Sequence, residues 1–229
     1  MMAEPDLSVI GALIGDATRS TILSALLSGQ SLPAGELAAH AHVTPQTASL
    51  HLSRLVEGGL LAVTQSGRHR YYRLKNAEVA AVLESLALLS PQPVVKAVRD
   101  TEQYRDLCFA RSCYDHLAGK LGVAMTQAFE NRGWLSLNDT AYSLTNDGAK
   151  WLATWNIDEN ELRRGRRLFA RTCLDWSERQ PHVSGALGAA LLSKMLEKRW
   201  LTRIPGNRAV RLTEVGRSGF RREFGVNID

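Results

Sequence analysis

Two cysteines and two histidines of this 229-residue chain have the residue types and spacing that could bind a metal ion. Cys113 and Cys173 each follow Phe-Ala-Arg-Ser or Phe-Ala-Arg-Thr, and each precedes an aspartate by two residues. His116 follows Cys113, and His182 follows Cys173 after a short insertion. Thiolates and imidazoles bind zinc and softer ions, including trivalent metalloids. The four residues are therefore a candidate metal site, provided that the fold brings them together.

Two alternatives remain open for the same four residues. A nearby arginine lowers the pKa of a thiol, so the cysteines could form a thiol switch. They could also be small apolar residues that close a tight helix contact, since the chain has no Cys-x-x-Cys knuckle. The spacing predicts that Cys113 and His116 lie on consecutive turns of one helix. This argues against a thiol-dependent enzyme, in which Cys and His normally meet from different elements.

The two cysteine segments belong to an internal repeat. Residues 109–115 match residues 169–175, and residues 116–135 match residues 182–201. Each copy continues into a predicted hairpin and then Leu-Thr-x-x-Gly, whose threonine predicts a helix N-cap. We expect helix, helix, hairpin and helix in each copy, as two tandem winged-helix-like repeats at about residues 100–156 and 158–225.

Composition and charge set the broad class. The chain is 45% apolar and 22% charged, with three cysteines and a formal net charge of +5. No apolar run reaches the roughly 20 residues that a membrane span needs. The start lacks a basic region typical of a secretory signal, and the odd cysteine count favours a reducing cytoplasm. We therefore expect a cytoplasmic protein without a membrane partner, with domains at residues 1–95 and 96–229 joined by the proline-containing residues 90–94.

The first 95 residues carry six Lys/Arg against seven Asp/Glu, yet five of those six cations fall between Arg54 and Lys75. Just before this basic strip, Thr44 and Pro45 predict the start of a helix. The helix ends within the strip, at Gly58. The following residues alternate apolar and polar, turn at Gly67 and return as a second strand. Two helices followed by such a hairpin predict a winged helix-turn-helix. Its candidate DNA-binding residues are Thr44, Gln46, Thr47, Ser49, Leu50, His51, Arg54, Arg68, His69 and Arg70.

The chemistry of these residues suits a DNA duplex. Short hydroxyl and amide side chains at the start of a helix can reach base edges in the major groove. Arginines at a hairpin tip can hold phosphates or enter a minor groove. The partner predicted for this half is thus a double-stranded DNA operator.

The residues TASLHLSRLVEGGLL followed by GRHRYYRL resemble the recognition helix and wing of the ArsR/SmtB repressors. The matching positions over residues 8–90 are Ser49, His51, Leu52, Leu55, Gly59, Leu60, Gly67, Arg68, Tyr72 and Leu74. The resemblance implies a homodimeric repressor whose operator binding is weakened by an effector. It also implies a dimer interface formed by helices at about residues 7–14 and 77–90.

The usual metal sites of that family are missing from this half. The helix before the turn contains no cysteine, and the helix after the wing contains neither His nor Asp. His40 and His42 are interpreted as surface residues. An effector would then act on the second half, as a metal ion, a metalloid or a small organic molecule, although no cofactor is certain.

All five tryptophans lie after residue 130. Trp134 and Trp200 occupy matching positions in the repeat and are predicted to be core residues. The other three have no counterparts and are candidates to line an organic effector pocket: Trp151, Trp155 and Trp176. The many arginines of the second repeat could contact DNA, but interleaved acidic residues favour ion pairing.

These features predict a mainly α fold with short β-hairpins, an α+β class. The predicted function is an autoregulated dimeric repressor that is released by an effector bound in the C-terminal domain. The alternatives are a thiol-dependent enzyme that uses Cys113 and His116, and a protein-interaction module built from winged helices.

Overall fold

The computed structural model of the chain describes residues 4–91 and 96–228. The chain divides into two compact units, Met1–Glu84 and Ser85–Asp229. This division lies before the boundary predicted at residues 95 and 96. Of the predicted linker, residues 92–94 lie outside the described residues.

The first unit is a bundle of short helices with a small sheet. Its helices are α1 (Leu7–Ile14), α2 (Ala17–Leu26), α3 (Ala34–His40), α4 (Pro45–Glu57) and the first part of α5 (Ala77–Leu89). The Asp16 carboxylate accepts from the backbone N–H of Arg19 and so caps α2. Pro33 is the N-cap residue of α3. Ala48, Leu52 and Leu55 of α4 are buried, as their spacing predicts.

The strands of this unit are β1 (Leu32–Pro33), β2 (Leu61–Ser66) and β3 (His69–Leu74), in the sheet order β1-β3-β2. The long hairpin β2–β3 runs in register from Leu61 opposite Leu74 to Ser66 opposite His69. Gly67 supplies the positive φ of 58° that its tight turn requires. The predicted winged helix-turn-helix is therefore present, with α4 as its recognition helix and β2–β3 as its wing.

The second unit begins within α5 and continues with the short helix α6 (Lys96–Arg99). Seven helices and strands then follow up to Thr154. They are α7 (Glu102–Phe109), β4 (Arg111–Cys113), β5 (His116–Ala118), α8 (Lys120–Asn131), β6 (Leu135–Asn138), β7 (Ala141–Leu144) and α9 (Asn146–Thr154). Thr145 caps α9 by accepting from the N–H of Gly148, as predicted.

The remaining residues use the same order of elements. They form α10 (Glu159–Arg164), β8 (Arg171–Leu174), β9 (Pro181–Ser184), α11 (Gly185–Glu197), β10 (Leu201–Arg203), β11 (Val210–Leu212) and α12 (Glu214–Gly219), which ends in a π-helical turn (Phe220–Phe224). Thr213 caps α12 as Thr145 caps α9.

The prediction that Cys113 and His116 lie on one helix is wrong, because α7 ends at Phe109. Residues 111–118 form the hairpin β4–β5, in which Cys113 pairs across the strands with His116. Tyr114 takes the left-handed φ of 60° at the turn. Almost every residue of this hairpin is buried. A continuously buried segment has no face periodicity, so its sequence cannot separate a short strand from a helix.

The hairpins of the two halves are joined reciprocally. The sheet β6-β7-β8-β9 links the wing-like hairpin of the first half to the cysteine hairpin of the second through Ala141 and Arg171. The hairpin β4–β5 meets the other wing-like hairpin through a bridge between Arg111 and Ala209. Each half thus completes the other, so this unit folds as one core.

A buried ion pair joins the hairpin β4–β5 to the hairpin β8–β9. The Arg111 guanidinium donates to the Asp175 carboxylate at 2.8 Å, and both side chains are almost fully shielded from solvent. Asp175 also accepts from the N–H groups of Gly119 at 2.6 Å and Ser177 at 2.9 Å. Trp176 covers the guanidinium at 4.3 Å. Burial alone would raise the pKa of Asp175, but Arg111 and the hydrogen bonds hold it well below its usual value.

Within the described residues, no single helix is long and apolar enough to cross a bilayer. The bent pair α1 and α2, at 86°, meets the length and composition requirement only when the two are taken together.

We predict that Asp175→Asn destabilises the second unit by about 3–5 kcal/mol, because it leaves the Arg111 charge buried without its partner. Urea unfolding followed by tryptophan fluorescence measures this, since every tryptophan lies in the second unit. The matched control is Asp147→Asn, which removes an exposed carboxylate paired with Lys150 and should leave the unfolding midpoint unchanged.

The Asp175 carboxylate makes the free energy of unfolding depend on pH in the acid range. Its pKa is lower in the folded than in the unfolded chain, so its contribution is complete above the unfolded value of about 3.9. The contribution is lost as pH falls through the folded pKa. Asp175→Asn should therefore flatten the acid limb of a stability profile. An equal acid limb in wild type and variant would contradict this assignment.

Candidate nucleic-acid interface and candidate metal centre

The recognition helix presents its polar residues to solvent. Gln46, Thr47, Ser49 and Arg54 are exposed on α4, and Leu50 is 54% exposed among them. Thr44, also exposed, accepts from the N–H of Thr47 at 3.2 Å and so starts the helix at this point. The buried stripe of α4 therefore fixes which residues face outward.

His51 is placed differently from the other candidates on α4. Its side chain is only 12% exposed, and its Nδ1 lies 3.6 Å from the Asp16 carboxylate. The Arg19 guanidinium lies 3.4 Å from the same nitrogen. His51 thus ties the recognition helix to the start of α2, in a position that leaves little of its ring for a ligand.

A groove of about 290 Å³ lies between the recognition helix and the wing. Ser49 and Ser53 of α4 line one side, and Arg68, His69 and Arg70 of the wing line the other. The three wing residues are exposed, and no ion pair of Arg54, Arg68 or Arg70 with a described carboxylate is found. Polar groups and unneutralised cations therefore share one concave surface, as a polyanionic partner requires.

The second unit brings all four residues of the candidate metal site together. The thiol sulfurs of Cys113 and Cys173 lie 3.8 Å apart, and the Nε2 atoms of His116 and His182 lie 3.2 Å apart. The two imidazole rings are stacked with centroids 5.0 Å apart. One ligand atom from each residue lies within 4.8 Å of every other. We call these four residues the Cys2His2 cluster.

Strand register accounts for this convergence. Cys113 faces His116 across β4–β5, and Cys173 faces His182 across β8–β9. Each hairpin therefore supplies one thiol and one imidazole. Helix α11 packs closely behind, because a Cβ at Gly188 would lie 3.0 Å from the His116 Cβ. Cys113 and both histidines are buried, and Cys173 is partly buried.

Charged groups around the cluster favour a thiolate. Hydrogen bonds from Cys113 and from both histidines hold the pKa of Cys173 far below its usual value, although burial acts against this. Burial also disfavours the charged form of His116, but hydrogen bonds with Asp115 and Cys173 outweigh it and raise its pKa to about 9. The two shifts act in the same direction, toward a Cys173 thiolate beside a His116 imidazolium.

The two histidines have unequal supports. Nδ1 of His116 lies 3.5 Å from the Asp115 carboxylate, which Arg167 holds from its other side. Burial would raise the pKa of Asp115, but these two partners lower it. Nδ1 of His182 is buried with no hydrogen-bond partner among the described residues. Its ring is oriented by stacking on His116 and by its place in β9.

The sequence did not identify the supporting residues Arg111, Asp175, Asp115 and Arg167. A signal was present, because the pattern Arg-x-Cys-x-Asp occurs at residues 111–115 and again at residues 171–175. The aspartates are equivalent in sequence but not in partner, since the first supports a histidine and the second pairs with an arginine. The insertion before His182 breaks the local symmetry.

The tryptophans proposed to line an effector pocket are packing residues. Trp151 stacks on Trp134 with centroids 4.4 Å apart and contacts Trp155 and Phe224. Trp176 covers Arg111 and contacts the Tyr104 ring. Neighbouring side chains thus occupy the ring faces that an organic ligand would need.

Several arginines of the second repeat are paired with carboxylates, as the interleaved sequence predicted. The described pairs join Arg163 to Glu159, Arg217 to Glu214, Arg222 to Glu223 and Arg167 to Asp115. His40 likewise lies 3.9 Å from Glu36 at the surface of the first unit.

Known proteins resemble both the winged helix and the whole chain. A helix-turn-helix domain family matches residues 14–64. The HTH-type transcriptional regulator YdfF of Bacillus subtilis, described as uncharacterized, is 46% identical over 224 residues, which cover 98% of this chain and 99% of YdfF. The regulator CmtR of Mycobacterium tuberculosis is 41% identical over 102 residues, 44% of this chain and 80% of CmtR.

Among solved structures, the cadmium metal sensor CmtR from Mycobacterium tuberculosis is 35% identical and covers 38% of this chain and 96% of its own, with a TM-score of 0.32. Reduced HlyU from Vibrio cholerae is 29% identical, covers 38% of this chain and 90% of its own, and has a TM-score of 0.34. YdfF and CmtR are both HTH-type transcriptional regulators, which favours a regulator over the thiol-dependent enzyme alternative.

The hydrogen bonds to Cys173 generate a prediction about its ionisation. Metal-free wild type should show one thiolate at pH 7 by its ultraviolet absorbance, because a free thiol titrates near 8.5 but Cys173 is stabilised as the anion. Cys173→Ser should remove this absorbance. Cys108→Ser is the matched control, since burial raises the pKa of Cys108 and it stays protonated. Three thiols that titrate together above pH 8 would contradict the assignment.

Proposed function

Because this chain belongs to the ArsR/SmtB family of helix-turn-helix transcriptional regulators, we propose that it is a dimeric repressor that binds the operator of its own promoter. Its first unit would bind the DNA, and its second unit would receive the signal that releases it. One observation carries the DNA-binding part of this proposal. Ser49 and Ser53 of α4 and the wing cations, which have no described carboxylate partner, line one groove.

Base reading is assigned to the first two turns of α4. The Gln46 amide can donate to and accept from an adenine edge, and the hydroxyls of Thr47 and Ser49 suit several bases. Leu50 offers an apolar contact for a thymine methyl group, which accounts for an exposed leucine on a polar face. The helix N-terminus at Thr44 adds backbone N–H groups for a phosphate.

Phosphate binding is assigned to the exposed cations of α4 and of the wing. Arg54 extends from α4, and Arg68, His69 and Arg70 extend from the wing tip. Phosphate contacts of this kind supply affinity and orientation without sequence preference. His51 contributes at the edge of this surface, where its contacts with Asp16 and Arg19 orient the recognition helix.

Dimerisation is assigned to α1 and α5. Leu7 is 80% exposed and Val9 is 56% exposed on α1, which has no buried residue. On α5, Val82 and Leu89 are exposed in the same way. Apolar side chains concentrated on two terminal helices are costly in water and favour a partner helix pair. A twofold pair would also place two recognition helices against two operator half-sites.

The releasing effector is assigned to the second unit. The first unit lacks the cysteine and carboxylate positions at which family members bind metals, whereas the second holds the Cys2His2 cluster. An effector there needs only a coupling free energy of about 1–3 kcal/mol to change operator affinity appreciably. The cytoplasm is the compartment we propose, because the protein must share it with DNA and its described cysteines are free thiols.

Arg68→Ala should weaken binding to specific and unrelated DNA alike and reduce the salt slope of the binding constant by about one unit. Fluorescence anisotropy over a salt series measures both quantities. Lys150→Ala is the matched control, because it removes an exposed cation of the second unit. An unchanged slope for Arg68→Ala would show that the wing does not hold phosphate.

The double substitution Leu7→Glu and Val82→Glu should convert the dimer to a monomer, since each places a charge in the proposed interface. Sedimentation velocity measures the change, and operator affinity should fall with it. Val215→Glu, at a residue that is 62% exposed in the second unit, is the control and should remain dimeric. A double variant that still sediments as a dimer would refute this interface.

A further inference from the structure

We propose that Cys113, His116, Cys173 and His182 bind one soft divalent cation of the zinc class in tetrahedral coordination. The cation-binding step stands on the cluster alone. Its role as the releasing signal rests on the function proposed above. This site lies outside the winged helix, on two β-hairpins of the second unit.

The distances between ligand atoms fit such an ion. With Zn–S bonds of about 2.3 Å and Zn–N bonds of about 2.0–2.1 Å, a tetrahedron has an S–S edge of about 3.8 Å and an N–N edge of about 3.3–3.4 Å. The corresponding separations in the cluster are 3.8 Å and 3.2 Å. The remaining sulfur–nitrogen pairs are within 4.8 Å. Only small side-chain movements are therefore needed to close the coordination sphere.

The donor types select the class of ion. Two thiols and two imidazoles form an S2N2 set, which is typical of zinc and related soft cations. Magnesium and calcium require several oxygen ligands instead. Both sulfurs must bind as thiolates and both imidazoles through a free lone pair, so metal binding releases protons.

A cation bound by both His116 and His182 accounts for the close approach of their Nε2 atoms. Two Nε2 atoms 3.2 Å apart can satisfy each other only when one carries a proton that points at the other. A bound cation would satisfy both lone pairs at once. His116 also has the carboxylate partner that orients metal-binding imidazoles, because Asp115 lies at its Nδ1 and Arg167 holds Asp115.

A disulfide is the rival fate of the two thiols. It would have to shorten the sulfur separation from 3.8 Å to about 2.05 Å and would need an oxidant to accept two electrons. It would give no role to the two buried histidines that converge on the same point. The four-residue geometry therefore favours a cation over thiol oxidation.

The test uses the full chain, reduced and stripped of metal, with Co²⁺ and Zn²⁺ as probes. Wild type should take one Co²⁺ per chain with the intense visible bands of tetrahedral sulfur coordination, and Zn²⁺ should displace it. Native mass spectrometry gives the stoichiometry. Cys173→Ser and His182→Gln should each weaken Zn²⁺ binding by roughly a hundredfold or more, since loss of a supporting group alone costs 10–100-fold.

Two controls make this result specific. Cys108→Ser removes a thiol outside the cluster and should bind Zn²⁺ as wild type does. Asp115→Asn keeps all four ligands and should weaken binding by roughly 10–100-fold through His116. Circular dichroism of each metal-free variant shows whether it folds, and His116→Gln replaces any variant that does not.

Three results would overturn the proposal. They are weak octahedral Co²⁺ bands, Zn²⁺ binding that survives Cys173→Ser and His182→Gln in folded protein, and a chain that binds neither ion but loses two hydrogens per molecule with peroxide. The last would favour the disulfide. Each of these can occur while operator binding persists, in which case the proposed DNA-binding function stands.

An operator-binding assay with and without Zn²⁺ tests the role as a signal. A change of roughly tenfold or more in wild type, lost in Cys173→Ser, supports it. Unchanged operator affinity on a fully loaded site overturns the signalling role. Absence of operator binding under any condition would overturn the proposed function and leave the cation site intact.

Discussion

The second unit depends on the buried ion pair between Arg111 and Asp175, which come from its two halves. Arg111 begins the first cysteine hairpin, and Asp175 directly follows the first strand of the second. Removing both ions from water costs several kcal/mol, which is offset only because nearly every lone pair and donor has a partner. The carboxylate accepts from Gly119 and Ser177 as well as from the guanidinium. The pair therefore allows one relative placement of the hairpins.

That placement creates the Cys2His2 cluster. A hairpin by itself brings one thiol beside one imidazole, because Cys113 and His116 are cross-strand partners. The second thiol and imidazole arrive only when β8–β9 packs against β4–β5. The reciprocal sheet contacts through Ala141 and Ala209 reinforce the same arrangement. Arg111 and Asp175 thus act on the cluster by fixing the positions of the two hairpins.

The first unit buries an apolar core and exposes its cations. Its core consists of the inward stripe of α4 packed with α2 and α3, and its outward face carries cations without described carboxylate partners. In the second unit, some arginines pair with nearby glutamates, as Arg163 does with Glu159. The wing cations of the first unit lie on the surface where a polyanion is expected to bind.

Sequence alone determined the winged helix. Local signals were strong there, because Thr44, Pro45 and Gly67 act through caps and turns that need only neighbouring residues. It also identified the four cluster residues, since the repeat placed Cys113 and Cys173 in matching positions. It could not determine that Cys113 and His116 lie on a hairpin, because the buried strands that carry them show no periodicity.

Only the tertiary structure determined which residues contact the charged and aromatic side chains. The two aspartates of the Arg-x-Cys-x-Asp pattern are alike in sequence, yet Asp115 supports His116 and Asp175 pairs with Arg111. Trp151, without a counterpart in the repeat, packs in the core by stacking on Trp134. The Arg111–Asp175 pair joins residues 64 positions apart in the chain, and its burial sets its energy. No local pattern of residues encodes a distant partner or the burial of a contact.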